Sequence, residues 1–561
     1  MQFLKNWSYC LLVVTGLFIA VSACKNDSTP EPVLTIESIS NTSAPVGTTM
    51  TITGTKFDAT PANNVVKFGS VQATVVSASP TQLVVQVPAG AQNGPITVTV
   101  NGVTVSSTQA FSLSNRPVIT VQGAITANTT WSASNVYKIL GFVYVRNGAT
   151  LTIEKGTIIK GAPKEEDPTA LGKGGTLIVQ PGGKLVAIGT ADQPIVFTSG
   201  KAAGQRNYGD WGGIVLIGKA PINQPGATTF EGGIEGSTGT YNEPTDNSGT
   251  LQYVRIEFGG IALSNASNSE INGLTLYGVG SGTTIDHIQV SYSGDDSYEW
   301  FGGTVNAKYL VAFRGWDDDW DTDWGFTGKV QYAVSLRDPE YADQSGSNGF
   351  ESDNFTGTGE PATGPNAGLP LTAPVFANVS NFVTSGTPSN ATIKGSGGYQ
   401  SGMHLRRNTS ISIFNSVFVG YPEGLRLDGT VTGTQANINS GALDLKGIVL
   451  ANVGTSSTTA VRGASAITNQ QAQDYFNATA RKNQLIASSD VATLLLNAAS
   501  FNLTAPNFLP QTGSPLLTGA VWEGKGADSF FTKETFRGAF GTTNWTTGWT
   551  NWNPQNTDYD K

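Results

Sequence analysis

Hydrophobic and polar residues alternate in short runs along most of this chain, and the runs come in two rhythms. Between residues 33 and 113, Val33-Leu34-Thr35-Ile36, Met50-Thr51-Ile52-Thr53, Gln82-Leu83-Val84-Val85-Gln86-Val87 and Ile96-Thr97-Val98-Thr99-Val100 have the period-two pattern of half-buried strands. Gly and Pro turns separate them at intervals that predict a β-sandwich. From about residue 117 the rhythm becomes a repeat. Asp286-His287-Ile288-Gln289-Val290 is followed 22 residues later by Lys308-Tyr309-Leu310-Val311-Ala312-Phe313, and 23 further on by Gln331-Tyr332-Ala333-Val334-Ser335-Leu336. An earlier copy, Gln252-Tyr253-Val254-Arg255-Ile256, starts 34 residues before Asp286, and a later one is Phe414-Asn415-Ser416-Val417-Phe418-Val419. Gly148 to Ile153 and Gly183 to Ile188 extend the series towards the N-terminus. Strands at this period with glycines at the corners predict a parallel β-helix, in which no coil buries its apolar face alone. Only residues 469–500 break the pattern, and they read as one or two short helices.

The first residues have a different logic. Lys5 precedes an apolar run from Leu11 to Val21, shorter than the roughly 20 residues that span a bilayer. It ends in Val21-Ser22-Ala23-Cys24, which resembles the lipobox of bacterial lipoproteins. That resemblance implies a signal peptide over 1–23, lipidation of Cys24, a membrane anchor of several acyl chains and an outer-membrane location. A polar tether over 24–32 follows. Its Lys25 and Asp27 loosely resemble the surface-export signal of Bacteroidetes lipoproteins, which favours display on the cell surface. Cys10 lies in the segment to be removed, so the mature chain is expected to have neither disulfide nor thiolate metal site.

Composition supports the all-β reading, since Gly is abundant at 68 and charged residues make up only 13%. A formal net charge of −9, with no cluster of Lys and Arg, excludes nucleic acid as a partner.

Within 33–113, Ala44-Pro45-Val46-Gly47, Ile52-Thr53-Gly54, Phe57, Val66-Lys67-Phe68-Gly69 and Val87-Pro88 resemble the IPT/TIG immunoglobulin-like family, which implies a spacer or binding module. Residues 117–561 resemble secreted right-handed β-helix proteins of the pectate-lyase-like superfamily. Gly513-Ser514-Pro515-Leu516 and Phe536-Arg537-Gly538-Ala539-Phe540-Gly541 look like their closing coil, and Trp545, Trp549 and Trp552 are expected to plug the C-terminal end. The fold class is therefore an immunoglobulin-like β-sandwich followed by a right-handed parallel β-helix with a Trp-rich tail.

Candidate chemistry is concentrated in one stretch. Gly294-Asp295-Asp296-Ser297-Tyr298-Glu299-Trp300 precedes Arg314-Gly315-Trp316-Asp317-Asp318-Asp319-Trp320-Asp321-Thr322-Asp323-Trp324. The repeat register aligns Asp296 with Asp318, so their carboxyls would stack about 4.8 Å apart. Such a pair must share a proton, bind a cation or sit beside positive groups, and Arg314 and Arg337, aligned in successive coils, are candidate partners. Alternation of Asp319, Asp321 and Asp323 suggests a calcium site, to which Glu351 and Asp353 of the next coil would add oxygens. Gly294-Asp295-Asp296 is similar to one aspartate motif of polygalacturonases, which makes Asp295, Asp296 and Asp318 candidate catalytic carboxyls. The Asn-Thr-Asp, Gly-His-Gly and Arg-Ile-Lys motifs that this family has around it are not found there. Trp300, Trp316, Trp320 and Trp324 beside the acids are candidate platforms for sugar rings. His287 aligns with Tyr309 and Tyr332 and reads as a structural stack, whereas His404 has no such explanation. These features lead to three expectations: a surface module binding polysaccharide or a surface protein, a polysaccharide lyase or hydrolase, or an envelope scaffold.

Overall fold

The structure is a computed structural model that describes residues 33–559 apart from 115, 170, 225–229, 238, 264–268, 344–345, 355–367, 384–397 and 455–459. Cys24, the signal segment and most of the tether lie outside the described residues.

Two antiparallel sheets, of four and five strands, form the N-terminal unit. In Thr49–Thr55 every second residue is buried, and the same alternation turns Leu83 and Val85, Val66 and Phe68, and Ile96 and Val98 inward. Phe68 and Phe111 close this core edge to face, with ring centroids 4.9 Å apart.

The C-terminal unit holds one sheet of 26 strands, wound so that each strand pairs in parallel with the strand one coil away. Its strands fall into three ladders. The first half and the second half of Gly249–Glu257, Thr284–Ser291, Asn306–Phe313, Lys329–Arg337 and Val375–Val383 belong to the first and second ladders. Leu274–Tyr277, Tyr298–Phe301, Trp320–Asp323, Phe350–Ser352, Met403–Leu405 and Leu425–Gly429 lie in the third. The register follows the sequence repeat: Gln252 pairs with Asp286, Asp286 with Lys308, and Lys308 with Gln331.

A single left-handed residue bends each long strand from the first ladder into the second. These residues are Tyr253, His287, Tyr309, Tyr332, Asn378 and Asn415, with φ between 50° and 64°. For a residue with a Cβ this conformation costs roughly 1–2 kcal/mol. Stacking offsets much of that, because aromatic pairs contribute about 0.5–1.5 kcal/mol beyond their burial. Tyr253, His287, Tyr309 and Tyr332 form a continuous column with centroid spacings of 4.3, 4.3 and 4.8 Å. The two asparagines that continue the column belong to the residue types that tolerate the conformation best.

Inside the solenoid, Ile285, Ile288, Val290, Leu310, Ala312 and their counterparts pack into one continuous core. In 469–500 one α-helix, Asn469–Asn477, begins at a capping box of Thr468 and Gln471, and 3₁₀ turns and a short strand fill the rest. A second short helix, Thr434–Ser440, carries no clear amphipathic signal in the sequence.

The Trp-rich tail is a strap and not a plug. It runs back along the outside of the second ladder, where side-chain amides of successive coils bind its backbone as a strand edge would. Asn415 exchanges two hydrogen bonds with Val521 (3.0 and 2.6 Å), Gln331 two with Thr532 (2.8 and 2.9 Å) and Gln289 two with Asn551 (2.9 and 2.8 Å). Arg206 donates to the carbonyl of Thr557 at 2.8 Å, and the Tyr559 hydroxyl donates to Glu257 at 2.7 Å. Trp552 packs edge to face on Phe313, Phe508 stacks on both Phe382 and Phe540, and Trp549 of the same apolar cluster meets Tyr253 and His287 edge to face. Trp549 is 1% exposed. Replacing it by alanine is expected to cost about 3–5 kcal/mol, as for other buried aromatics. Denaturant unfolding measures this, and an unchanged midpoint would show that the strap does not stabilise the solenoid.

Candidate functional site

Period-two alternation in the third ladder divides the residues of the acidic stretch between two faces. Tyr298, Trp300, Trp320 and Phe350 point into the solenoid and are fully buried. Their neighbours point outward, and pairing stacks Thr275, Glu299, Asp321, Glu351, His404 and Arg426 in one column. Beside it runs a second column of Tyr277, Phe301 and Asp323. The first column thus changes from neutral through acidic to basic residues, and the second from aromatic to acidic.

At the corner that leads into this ladder the carboxyls take part in the coil stacking itself. Asp296 accepts the backbone N–H of Asp318 at 2.8 Å, and Asp318 accepts the N–H of Asn348 one coil further on. Carboxylate oxygens then converge in three overlapping groups: Asp295 with Asp296 and Asp317, Asp296 with Glu299 and Asp321, and Asp318 with Asp321 and Glu351. Within each group the oxygens lie within 4.8 Å of one another. Glu231 approaches from the excursion between the third ladder and the first ladder of the next coil, and Glu270 from the one between the second and third ladders. Phe230 stacks on Tyr277 at 4.3 Å and the Glu231 N–H donates to the Tyr277 hydroxyl, which holds Glu231 against the ladder.

Burial is the largest influence on these acids, and mutual repulsion adds to it. Asp295, Asp296, Glu299, Asp317, Asp318 and Asp321 are all held well above the ordinary carboxyl range for those two reasons. Burial lifts Glu231 to about 8, with a further contribution from Glu270. The next coils reverse the sign. Burial also pushes Glu351 up, but Arg406 and His404 outweigh it and leave the carboxyl lowered. Arg406 bonds Glu351 at 2.7 Å and Asp353 at 2.8 Å, and Arg407 bonds Asp353 at 2.6 Å. His404, between Glu351 at 3.4 Å and Asp428 at 3.5 Å, is desolvated, yet the two carboxylates raise its pKa.

Next to the acids lies a pocket of about 490 Å³. Its floor includes the backbone of Gly209, Gly260 and Gly294, stacked so closely that a Cβ on Gly294 would stand 2.5 Å from the Gly260 carbonyl. Trp316, Tyr208 and Asp343 contribute to its wall. Trp316 and Tyr208 meet edge to face at 5.2 Å.

Several sequence expectations are corrected by this geometry. Trp300 and Trp320 are core residues, because Tyr298–Phe301 and Trp320–Asp323 are strands and not exposed corners. Trp324, 7% exposed, packs with Phe230, Tyr277 and Phe301. Of the four tryptophans only Trp316 reaches the pocket. Arg337 is fully buried and pairs with Asp319 at 3.1 Å, which takes both away from any ligand, while Arg314 pairs with Asp338 at 3.1 Å. Neither arginine neutralises Asp296 or Asp318. Asp319 bonds Ser335 at 2.5 Å and so stands apart from the outward Asp321 and Asp323. The oxygens a cation would meet come instead from Asp296, Glu299, Asp318, Asp321 and Glu351. His287 occupies the aromatic column, as its alignment implied. Glu299 escaped the sequence argument although the register that aligns Asp296 with Asp318 also aligns Glu299 with Asp321. No repeat signal pointed to Glu231, Glu270 or Tyr208.

A carboxyl whose pKa is higher in the folded than in the unfolded chain binds its proton more tightly when folded. It therefore weakens the fold as pH rises from about 4 through the raised value. The melting temperature is expected to rise as pH is lowered from 8 towards about 5. Below about 4 it should fall again, as Glu351, Glu423 and Asp428, all lowered by cationic neighbours, take up protons. Thermal melts across this range test both limbs. Glu299→Gln should flatten the upper limb, and a flat wild-type profile would mean that the cluster is well solvated.

Comparison with known proteins adds two families. Residues 34–114 match the IPT/TIG domain, and residues 123–494 match the pectate-lyase-like beta helix domain. No curated protein matches the chain. Among solved structures, an auxiliary nutrient binding protein from Bacteroides thetaiotaomicron is 24% identical over 15% of this chain and 22% of its own, with a TM-score of 0.15. A putative phosphatase from the same organism is 26% identical over 15% of this chain and 18% of its own, with a TM-score of 0.14. The chain thus spans about a fifth of the length of these two relatives. Dex49A from Penicillium minioluteum is 11% identical over 79% of this chain and 82% of its own, with a TM-score of 0.19. With more than half of its length matched and its strands wound into parallel coils, the chain belongs to the pectate-lyase-like β-helix domain family and carries an IPT/TIG domain before the solenoid.

Proposed function

We propose that the protein binds a polysaccharide along the outer face of the third ladder, with the carboxyl cluster and the adjoining pocket as the recognition centre. The observation that carries this reading is the meeting of outward carboxyls from successive coils with a pocket walled by Trp316 and Tyr208. Hydroxyl-rich rings need hydrogen-bond acceptors and a flat apolar face together. A solenoid groove repeats both at the coil spacing and so suits a polymer better than a single small molecule. The family match agrees with a carbohydrate-related protein.

On this reading the IPT/TIG domain is a spacer, and the Cys24 anchor holds the protein at the outer membrane, facing outward. Labelled palmitate should enter the wild-type protein in a bacterial host and be lost in Cys24→Ser. Labelling that survives the substitution overturns the anchor. Trp316→Ala should weaken retention in polysaccharide-containing gels by about tenfold, a loss of about 1.4 kcal/mol typical of an aromatic hot spot. Unchanged mobility across a broad panel of polysaccharides removes the glycan reading and leaves a scaffold or protein-adhesion role.

A second reading, cleavage of the bound polymer, is favoured by the raised pKa values of Asp295 and Asp296. A carboxyl that keeps its proton at neutral pH can act as a general acid beside an ionised partner. Reducing ends should then accumulate with wild-type protein and fall by about 10² or more in Asp296→Asn. Equal release by both proteins excludes Asp296 as the acid.

A further inference from the structure

Three carboxyls of the acid cluster and the amide of Asn272 form a recess rich in acceptors. Oxygens of Asp296, Glu299 and Asp321 lie within 4.8 Å of one another. Asn272 closes the recess from the preceding coil: it is 1% exposed, and its amide nitrogen donates to Glu299. The carbonyl oxygen of that amide is buried and has no hydrogen-bond donor among the described residues, and the same is true of one Asp321 oxygen. A buried acceptor left unmet costs roughly 1–3 kcal/mol, so two of them in contact with an acid cluster mark a place completed from outside.

Four arginines near the recess bond to carboxylates other than Asp296, Glu299 and Asp321. Arg406 and Arg407 are held by Glu351 and Asp353, Arg337 by Asp319 and Arg314 by Asp338. We propose that this recess takes a positively charged substituent of the glycan, the ammonium group of an amino sugar. The proposal rests on the polysaccharide reading above and specifies its substrate class. An ammonium has three donors and no acceptor. Charge-assisted bonds of about 2.8 Å to one tetrahedral nitrogen place its acceptors about 4.6 Å apart, which falls inside the 4.8 Å limit within which these oxygens lie. A hydroxyl supplies one donor and leaves the other acceptors unmet. An N-acetyl group adds a carbonyl where only acceptors already stand, and a uronate adds like charge. Calcium requires six to eight oxygens, whereas here one Asp296 oxygen already accepts the Asp318 N–H and one Glu299 oxygen the Asn272 amide.

The test is calorimetric titration of the full chain with glucosamine hexamer, its N-acetylated counterpart and galacturonate hexamer, all in chelator. The free amine should bind at least about tenfold more tightly than the N-acetylated hexamer, a difference of about 1.4 kcal/mol. Glu299→Gln and Asp321→Asn, each shown by its melt to be folded, should both abolish that preference. Equal affinity for the two hexamers, a preference that persists in both variants, tighter binding of the galacturonate, or amine binding that appears only when calcium replaces chelator would each overturn the proposal. Binding of neutral glycans without amine preference defeats this inference and spares the polysaccharide reading. Retention of no glycan, in calorimetry or on the gel panel, defeats both.

Discussion

Everything in the larger unit depends on parallel backbone pairing between successive coils, which sets one residue above its counterpart at strand spacing, about 4.8 Å. That constraint makes columns the unit of the structure. A column of Ile, Val and Leu is a core, and a column of rings is a stack. A column of carboxyls is strained and is kept only if protons, cations or a ligand relieve the repulsion. The sequence alternation of two decides which of these a residue joins, because a shift of one position exchanges inside for outside.

The regular part of this arrangement was legible in the residues. The offsets of 22 and 23 predicted the pairing of Asp286 with Lys308 and of Lys308 with Gln331, and with it the ring column through His287. Offset alone does not give the face. Trp300 and Trp320 were grouped with the acids by proximity in sequence, yet strand alternation puts them on the opposite side of the sheet. The same alternation applied to Tyr298-Glu299-Trp300 would have added Glu299 to the site. Glu231, Glu270 and Tyr208 come from excursions that leave the repeat, so no period reports them. The strap was equally hidden, since its partners Gln289, Gln331, Asn378 and Asn415 are ordinary polar residues until the tail is seen beside them.

The acid cluster and the basic coils that follow it form one graded surface. Arg406 pairs with Glu351 and both arginines pair with Asp353, so positive charge meets the cluster only at its Glu351 end. The neutral floor of stacked glycines and the Trp316 wall provide room beside the charged face, so that recognition of a ring and of its substituent fall to different parts of one groove.

The strap gives the molecule an order of assembly. Within the coils paired residues lie some twenty to sixty positions apart, so each new coil can settle on the one before it. The bond from Tyr559 to Glu257 spans 302 residues. Phe501 and Phe508 cover Phe382, whereas Phe313 meets Trp552 only once the last residues of the chain are in place, so closing that end of the lateral seam is a late, long-range event. Run in reverse, the same geometry makes peeling of the strap the first step of unfolding from that side. One end of the solenoid's lateral seam is thus closed by a segment that belongs to none of its ladders.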